Sequence, residues 1–305
     1  MATLLQFIAS RHFRHSFGSS DKKRDAGQTT PENIRRFDDI LYGDDLRLRK
    51  WQLLDVYRPK DAQEGDSLKK LPVIISVHGG AWVYGDKEAY QFYCMGLAQR
   101  GFAVVNYSYR LAPEAKYPAS LIDTEKVFQW VCDNAQEYGF DTDKVFAVGD
   151  SAGGHLLTMY MGALTNESFG RKFDFIKQKP LHIRGVALNC GKYTMEPSDF
   201  QMRLLLGGLM PEKGSPEELE ILNVYKHITD GFPPAYVMTC EGDFLKEQAP
   251  VACKALEQAG VHYEYHCYGS KEKPLWHVFH CDPVLPVAAE CNDDECRFFR
   301  SLIEK

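Results

Sequence analysis

Apolar and polar positions along the chain fall into two alternating rhythms. Short runs rich in β-branched and aromatic residues, at 72–77, 102–107, 145–148, 183–189, 234–239 and 261–268, read as buried strands. Between them, apolar residues recur at helical spacing over 89–99, 120–138, 153–164 and 248–258, with part of a last helix at 295–305. In the 120–138 segment the stripe is Leu121, Ile122, Val127, Trp130 and Val131. Two further strands, 34–41 and 51–57, open the series as an antiparallel pair, and a polar turn follows at 61–70. The alternation predicts an α/β fold, a mostly parallel sheet with helices on both faces. No internal repeat is visible.

Two stretches break the rhythm. Up to about Glu32 the chain reads as irregular, apart from an amphipathic helix over 4–13; the Ser, Asp, Lys, Gly and Pro of 18–31 suit a loop. The interval 191–232 is far longer than a strand crossover requires, and 198–209 and 216–224 within it read as helices. It carries Phe200, Met202, Leu204, Leu205, Leu206, Leu209 and Met210. This predicts a helical cap inserted into a single α/β domain spanning 33–305, with the 1–32 segment a candidate to join the cap. The same apolar helices equally suit a dimer surface, which leaves a homo-oligomer open.

Composition narrows the class. With 305 residues, 44% hydrophobic and 26% charged, the chain can bury a full core. A net charge of −6 with both signs interspersed argues against a nucleic-acid partner. The one basic stretch, Arg11 to Arg14 and Lys22 to Arg24 with His12 and His15, reads as a solvated flank. Nine scattered cysteines without metal-ligand spacing suit free thiols in a reducing compartment better than a disulfide framework, and no metal or cofactor is expected. The apolar run at the N-terminus is short, with its positive charges after it, which is wrong for a signal peptide. No stretch is long enough to span a bilayer, so a cytoplasmic location is expected.

The chemistry lies in two motifs at predicted strand ends. Gly149-Asp150-Ser151-Ala152-Gly153 follows Val145-Phe146-Ala147-Val148 and precedes a helical segment. Small residues there allow a turn sharp enough to expose a serine above the sheet, as a nucleophile elbow does. His78-Gly79-Gly80-Ala81-Trp82 follows Val73-Ile74-Ile75-Ser76-Val77 and suits a loop whose N–H groups stabilise an oxyanion. Either motif alone is also an ordinary glycine-rich turn; the pairing, in that order and context, points to serine-dependent acyl transfer to water.

A serine hydroxyl needs a base, and the base needs an orienting acid. In an open α/β sheet these sit on loops beyond the C-terminal strand ends. After 234–239 that loop offers Asp243, with Glu241 second; Asp230 precedes the strand, at the wrong edge. After 261–268 both His277 and His280 qualify, whereas His262 and His266 lie within the strand. For His78 and His155 the expected roles are loop bracing and helix packing. Trp82, Tyr84, Phe200 and Met202 are candidates for the substrate pocket.

From about Trp51 onward the chain resembles the hormone-sensitive-lipase-like esterases of the α/β-hydrolase fold. His78–Trp82 is similar to that family's H-G-G-G-W loop, Tyr109-Arg110-Leu111-Ala112-Pro113-Glu114 to its Y-R-L-A-P-E segment, and Gly149–Gly153 to its G-D-S-A-G elbow. His277-Val278-Phe279 resembles its H-x-F loop, which favours His277, and Asp243-Phe244-Leu245 its D-x-L acid loop. Ala81 replaces the third glycine of the first motif. The resemblance implies a Ser151–His277–Asp243 triad and an oxyanion hole of the Gly79, Gly80 and Ala152 N–H groups. It also implies structural roles for Arg110 and Glu114, and small, short-acyl esters as substrates. Two alternatives remain: an amidase or arylformamidase, whose relatives share an H-G-G-x-W loop, and a hydrolase-fold receptor that binds a small ligand without turnover.

Overall fold

The computed structural model describes residues 3–64, 67–177 and 181–303. The first two residues of the 1–32 segment, the tip of the 61–70 turn and the end of the 295–305 helix lie outside the described residues. In chain order the elements are α1 (Leu4–Arg24), β1 (Ile34–Leu41), β2 (Leu53–Pro59) and a short hairpin, β3 (Gln63–Glu64) and β4 (Ser67–Leu68). Next come β5 (Leu71–Val77), α2 (Lys87–Gln99), β6 (Ala103–Tyr107), α3 (Ala119–Asp133), α4 (Ala135–Tyr138), β7 (Phe140–Asp150) and α5 (Ala152–Thr165). Then follow α6 (Glu167–Gly170), β8 (Ile183–Asn189), α7 (Phe200–Leu209), α8 (Pro216–Leu222), β9 (Ala235–Cys240), α9 (Ala249–Gln258), β10 (Tyr263–Tyr268) and α10 (Pro286–Ser301).

Eight strands form one sheet in the order β1-β2-β6-β5-β7-β8-β9-β10. The β1–β2 and β2–β6 pairs are antiparallel, and the rest run parallel. Period-two alternation sends the strand residues to two cores. Val73, Ile75, Val77, Val105, Val145, Ala147, Leu188 and Val237 pack with α3, α5 and α9 on one face. Ile74, Val104, Phe146, Val148, Ala187, Tyr236 and Met238 pack with α2 and α10 on the other. From β5 the chain passes to β6 on one side and then to β7 on the other, so the winding reverses beside β5. The crevice beyond the C-terminal strand ends at such a reversal is where open α/β sheets bind ligands. Among the described residues no helix is long and apolar enough to cross a membrane.

The N-terminal segment departs from the sequence expectation. The helix starts where expected, with Thr3 and Gln6 in a reciprocal capping box, but runs to Arg24 rather than ending near residue 13. The Gly-Ser-Ser stretch that reads as loop is held helical by tertiary contacts that override its weak propensity. Tyr84 Oη donates to Asp21 Oδ2 at 2.6 Å, and Arg24 donates to the Ala89 carbonyl. The basic stretch is likewise not just a solvated flank. Arg14 donates to the carbonyls of Val83 and Ala112 at 2.6 and 3.0 Å and pairs with Glu114 at 2.6 Å. The helix is thereby tied to the loop that follows β5, to the first turn of α2 and to the segment that follows β6.

The structural roles implied for Arg110 and Glu114 hold. Arg110 pairs with the fully buried Asp123 at 2.8 Å, and Asp123 also accepts from Gln52 Nε2 at 2.7 Å. Glu114 serves as the anchor for Arg14. None of the nine cysteines forms a disulfide, and six of them are buried.

Candidate active site

Ser151 stands between the last residue of β7 and the first of α5 with φ 54° and ψ −113°. A non-glycine residue there is strained, and the surroundings must over-determine it. Its N–H donates to the Asn189 carbonyl at 2.9 Å, and its own carbonyl accepts from the N–H groups of His155 and Lys192, each at 3.2 Å. The turn is possible because α5 presses directly on the end of β5. A Cβ at Gly153 would lie 2.0 Å from the Val77 carbonyl oxygen and 2.5 Å from that of His78.

The loop after β5 is equally constrained. Gly80 has φ 115°, and a Cβ there would sit 2.1 Å from the Tyr84 carbonyl oxygen. Ala81 and Trp82 both adopt left-handed backbone, φ 51° and 59°. Alanine at the family's third glycine therefore occupies the conformation glycine adopts more readily. The Gly79 N–H, one of the three expected oxyanion donors, donates to the Tyr90 hydroxyl at 3.0 Å. Among the described residues the N–H groups of Gly80, Ala81 and Ala152 meet no protein acceptor.

His277 and Asp243 come together across the loops that follow β10 and β9. His277 Nδ1 and Asp243 Oδ1 are 2.7 Å apart. Asp243 is buried, and it also accepts from the Leu245 N–H at 2.8 Å and from Thr239 Oγ1 at 2.9 Å. Burial alone would raise its pKa; the His277 hydrogen bond and charge, with the Leu245 N–H, outweigh that and hold the carboxyl below its ordinary 3.8. With Nδ1 on the carboxylate, Nε2 is the free nitrogen of the ring.

The competing candidates point elsewhere. Glu241 pairs with Lys246 at 2.8 Å. His280 is fully buried, with Nε2 3.2 Å from Asp150 Oδ1 and its ring edge-on to Tyr93. His78 stacks on Tyr109 at 4.0 Å and contacts the Gly79 carbonyl, and His155 Nε2 lies 2.8 Å from the Leu222 carbonyl. Burial pushes the pKa of both down to about 4, so they brace the loop and pack α5 as neutral rings, as expected.

Ser151, His277 and the Gly79–Tyr84 loop line one mostly apolar cavity of about 600 Å³. Of the four residues expected in the pocket, Trp82, Tyr84 and Met202 lie on its wall. Phe200 does not: as the first residue of α7 it falls at the edge of the inward stripe and is 62% exposed. Sequence reasoning missed the rest of the wall that α1 and α7 supply, Gln6, Ser10, Phe13, Phe17 and Asp21 from α1 with Gln201, Leu205 and Gly208 from α7 beside Met202. The inward positions of α1 recur at helical spacing but mix polar with apolar. Its most apolar residues, Leu4, Leu5 and Ile8, point to solvent. A periodicity reading follows the apolar residues and so selects the wrong face.

Two clusters bring three metal-type ligand atoms within 4.8 Å of one another, Asp150 with His280 and Cys281, and Cys190 with Asp243 and His277. In both, the carboxylate already has the histidine as its hydrogen-bond partner.

A buried acid supports the elbow from below. Asn189, whose carbonyl holds the Ser151 N–H, donates its Nδ2 to Glu295 Oε2 at 2.7 Å, and Tyr93 Oη lies 3.0 Å from Glu295 Oε1. Burial pushes the Glu295 pKa up from 4.5 to about 7, against the opposing pull of Asn189 and His280. Between those two values the folded protein binds the proton more tightly than the unfolded chain. This contribution to stability is therefore fully present below pH 4.5 and is lost as the pH rises through about 7. Each pH unit in that window is worth ~1.4 kcal/mol. Urea unfolding of Glu295→Gln should show a flatter stability profile across the window than wild type; superimposable slopes would refute the shift.

Residues 54–245 match the family model described as BD-FAE, a span that includes both glycine loops, Ser151 and Asp243. Among curated proteins, the chain is 28% identical over 232 residues to the versiconal hemiacetal acetate esterase of Dothistroma septosporum, covering 71% of this chain and 69% of that one. It is 28% identical over 239 residues to the carboxylesterase NlhH of Mycobacterium tuberculosis, covering 73% and 71%. Among solved structures it is similar to the esterase B of Lactobacillus rhamnosis inhibited with a C4-C4 SN3 tributyrin phosphonate. There the identity is 25% and the TM-score 0.85, with 99% of this chain and 96% of that one covered.

Proposed function

Because the chain belongs to the BD-FAE family and is a hormone-sensitive-lipase-like carboxylic ester hydrolase of the α/β-hydrolase fold, we propose that Ser151 is its nucleophile, His277 its general base and Asp243 the orienting acid. The observation that carries this reading is the 2.7 Å Asp243–His277 hydrogen bond on the wall of the cavity that also holds Ser151.

In this reading Ser151 Oγ attacks the ester carbonyl carbon while His277 Nε2 takes its proton. The buried Asp243 carboxylate keeps the other ring proton on Nδ1 and stabilises the imidazolium. Negative charge on the former carbonyl oxygen is met by the N–H groups of Gly80 and Ala152, with Ala81 beside them; each such donor is worth ~3 kcal/mol in a preorganised hole. The Gly79 N–H, held by Tyr90, keeps the loop in place instead. Collapse breaks the acyl–oxygen bond, His277 protonates the departing alcohol, and water repeats the sequence on the acyl-enzyme.

The substrates proposed are small esters with short acyl chains. Support comes from the acetate in one relative's name and the butyryl-type inhibitor of another, and from a cavity bounded by Phe13, Phe17, Trp82 and Leu205. Residues 191–232, together with α1, are proposed to act as the cap over this cavity on a domain running from 33 to 305, which the shared wall of α1 and α7 supports. Nine cysteines, none of them in a disulfide, suit a reducing, cytoplasmic compartment.

Covalent labelling tests the reading. A short-chain alkyl p-nitrophenyl phosphonate should release one equivalent of nitrophenol and add its mass to the peptide containing Ser151, with activity lost in step. Labelling at another residue, or inactivation without a label on Ser151, would refute it.

A further inference from the structure

Lys192 stands on the cavity wall beside the serine. Its backbone N–H donates to the Ser151 carbonyl at 3.2 Å. The next two N–H groups, of Tyr193 and Thr194, both donate to Gln248 Oε1 at 2.9 Å. The root of the lysine is thus pinned one hydrogen bond from the nucleophile, and its half-buried side chain faces a wall that is mostly apolar.

The other charged groups on that wall are matched. Asp21 has Arg24 at 3.1 Å and Tyr84 at 2.6 Å, and Arg24 also has Asp25 at 2.7 Å. The Asp199 carboxylate accepts the Met202 N–H at 2.9 Å as the cap of α7. Among the described residues Lys192 forms no ion pair; the exposed Glu196 acts on it only from a distance. A cation drawn partly out of water without a partner is unfavourable unless a ligand supplies the anion. An ammonium on a flexible stem, with three donors, is well suited to receive a carboxylate.

We propose that the cavity accepts esters bearing a second, free carboxylate, namely monoesters of short dicarboxylic acids. Lys192 Nζ holds that carboxylate while the ester carbonyl lies against Ser151. The spacer is short because both anchoring points issue from adjacent backbone. This rests on the assignment of Ser151 above. In the reaction water replaces the alcohol on the acyl carbon, the acyl–oxygen bond breaks, and the products are the dicarboxylate dianion, the alcohol and one proton.

The test compares ethyl hydrogen succinate with ethyl 4-methylpentanoate, in which a neutral branch replaces the carboxylate, by ethanol release from wild type, Lys192→Met and Lys192→Arg. Wild type should favour the anionic ester. Lys192→Met should lower kcat/KM for it by roughly 10- to 100-fold, mainly through KM, the range of a charge-assisted hydrogen bond. The neutral ester should change by less than about twofold, and Lys192→Arg should restore part of the preference. Equal loss on both esters, or no change on either, overturns the proposal. Retained neutral-ester activity in Ser151→Ala would instead strike the nucleophile assignment, so the two readings fail separately.

Discussion

Replacing Ser151 with alanine is expected to lower kcat on a short-chain ester by on the order of 10⁶-fold, the loss seen when the nucleophile is removed from serine hydrolases that act through a triad. The substitution deletes only Oγ. The backbone at residue 151 keeps its φ of 54°, its N–H keeps the Asn189 carbonyl, and its carbonyl keeps the N–H groups of His155 and Lys192. Unfolding by urea should therefore match wild type, which separates loss of chemistry from loss of fold. KM should change little, since the cavity walls from α1, α7 and the loop after β5 are untouched. The activity that remains should be the residual acceleration by the N–H groups of Gly80, Ala81 and Ala152 acting on bound ester, small but above the uncatalysed rate. Hydrolysis of acetate or butyrate esters at a rate within tenfold of wild type would remove Ser151 from the mechanism.

The sheet was legible in the chain because two physical signals agree there. Buried parallel strands must be apolar on both faces, and β5, residues 145–148 of β7 and residues 185–188 of β8 are near-continuous apolar runs. The elbow was legible because close approach of α5 to β5 admits only glycine at 153, leaving a pattern that few other structures require. What escaped was decided by tertiary contact. The long extension of α1 depends on Arg14, Asp21 and Arg24 reaching residues some 60 to 100 positions away, and nothing local marks Gly18-Ser19-Ser20 as helical. The choice between His277 and His280 was left open in the sequence, with only the family's H-x-F pattern favouring His277. The structure separates them by burial and partner: His277 has Asp243 and the cavity, whereas His280 has Asp150 beneath the sheet loops. The Gly79 N–H could not be read as engaged, because the Tyr90 hydroxyl that takes it comes from α2, eleven residues on.

The acid gives the second large effect, and it discriminates between mechanisms. Asp243→Asn should lower kcat by roughly 10⁴-fold while preserving the shape of the site. An amide at this position presents an N–H where the carboxylate presented an acceptor. Its best pairing with His277 Nδ1 places the imidazole proton on Nε2, the nitrogen that must be bare to accept the Ser151 proton. The Leu245 N–H and Thr239 Oγ1 can still be accommodated by the amide oxygen or by rotation, so the loop should stay folded. Because the His277 contact and the Leu245 N–H hold the Asp243 carboxyl below 3.8 in the native enzyme, its share of stability is present above the unfolded value and is lost only as the pH falls through the lower, native one. Protonation of Asp243 should therefore cost wild-type activity only at a lower pH than it would for a carboxyl at its ordinary value. The deficit of Asp243→Asn should correspondingly persist at every pH from about 5 to 9, rather than being recovered at an extreme. Glu241→Gln is the matched control. That carboxylate is tied to Lys246, and its loss should leave kcat within about twofold of wild type. A large loss in Glu241→Gln together with a small one in Asp243→Asn would transfer the role of orienting acid from residue 243 to residue 241.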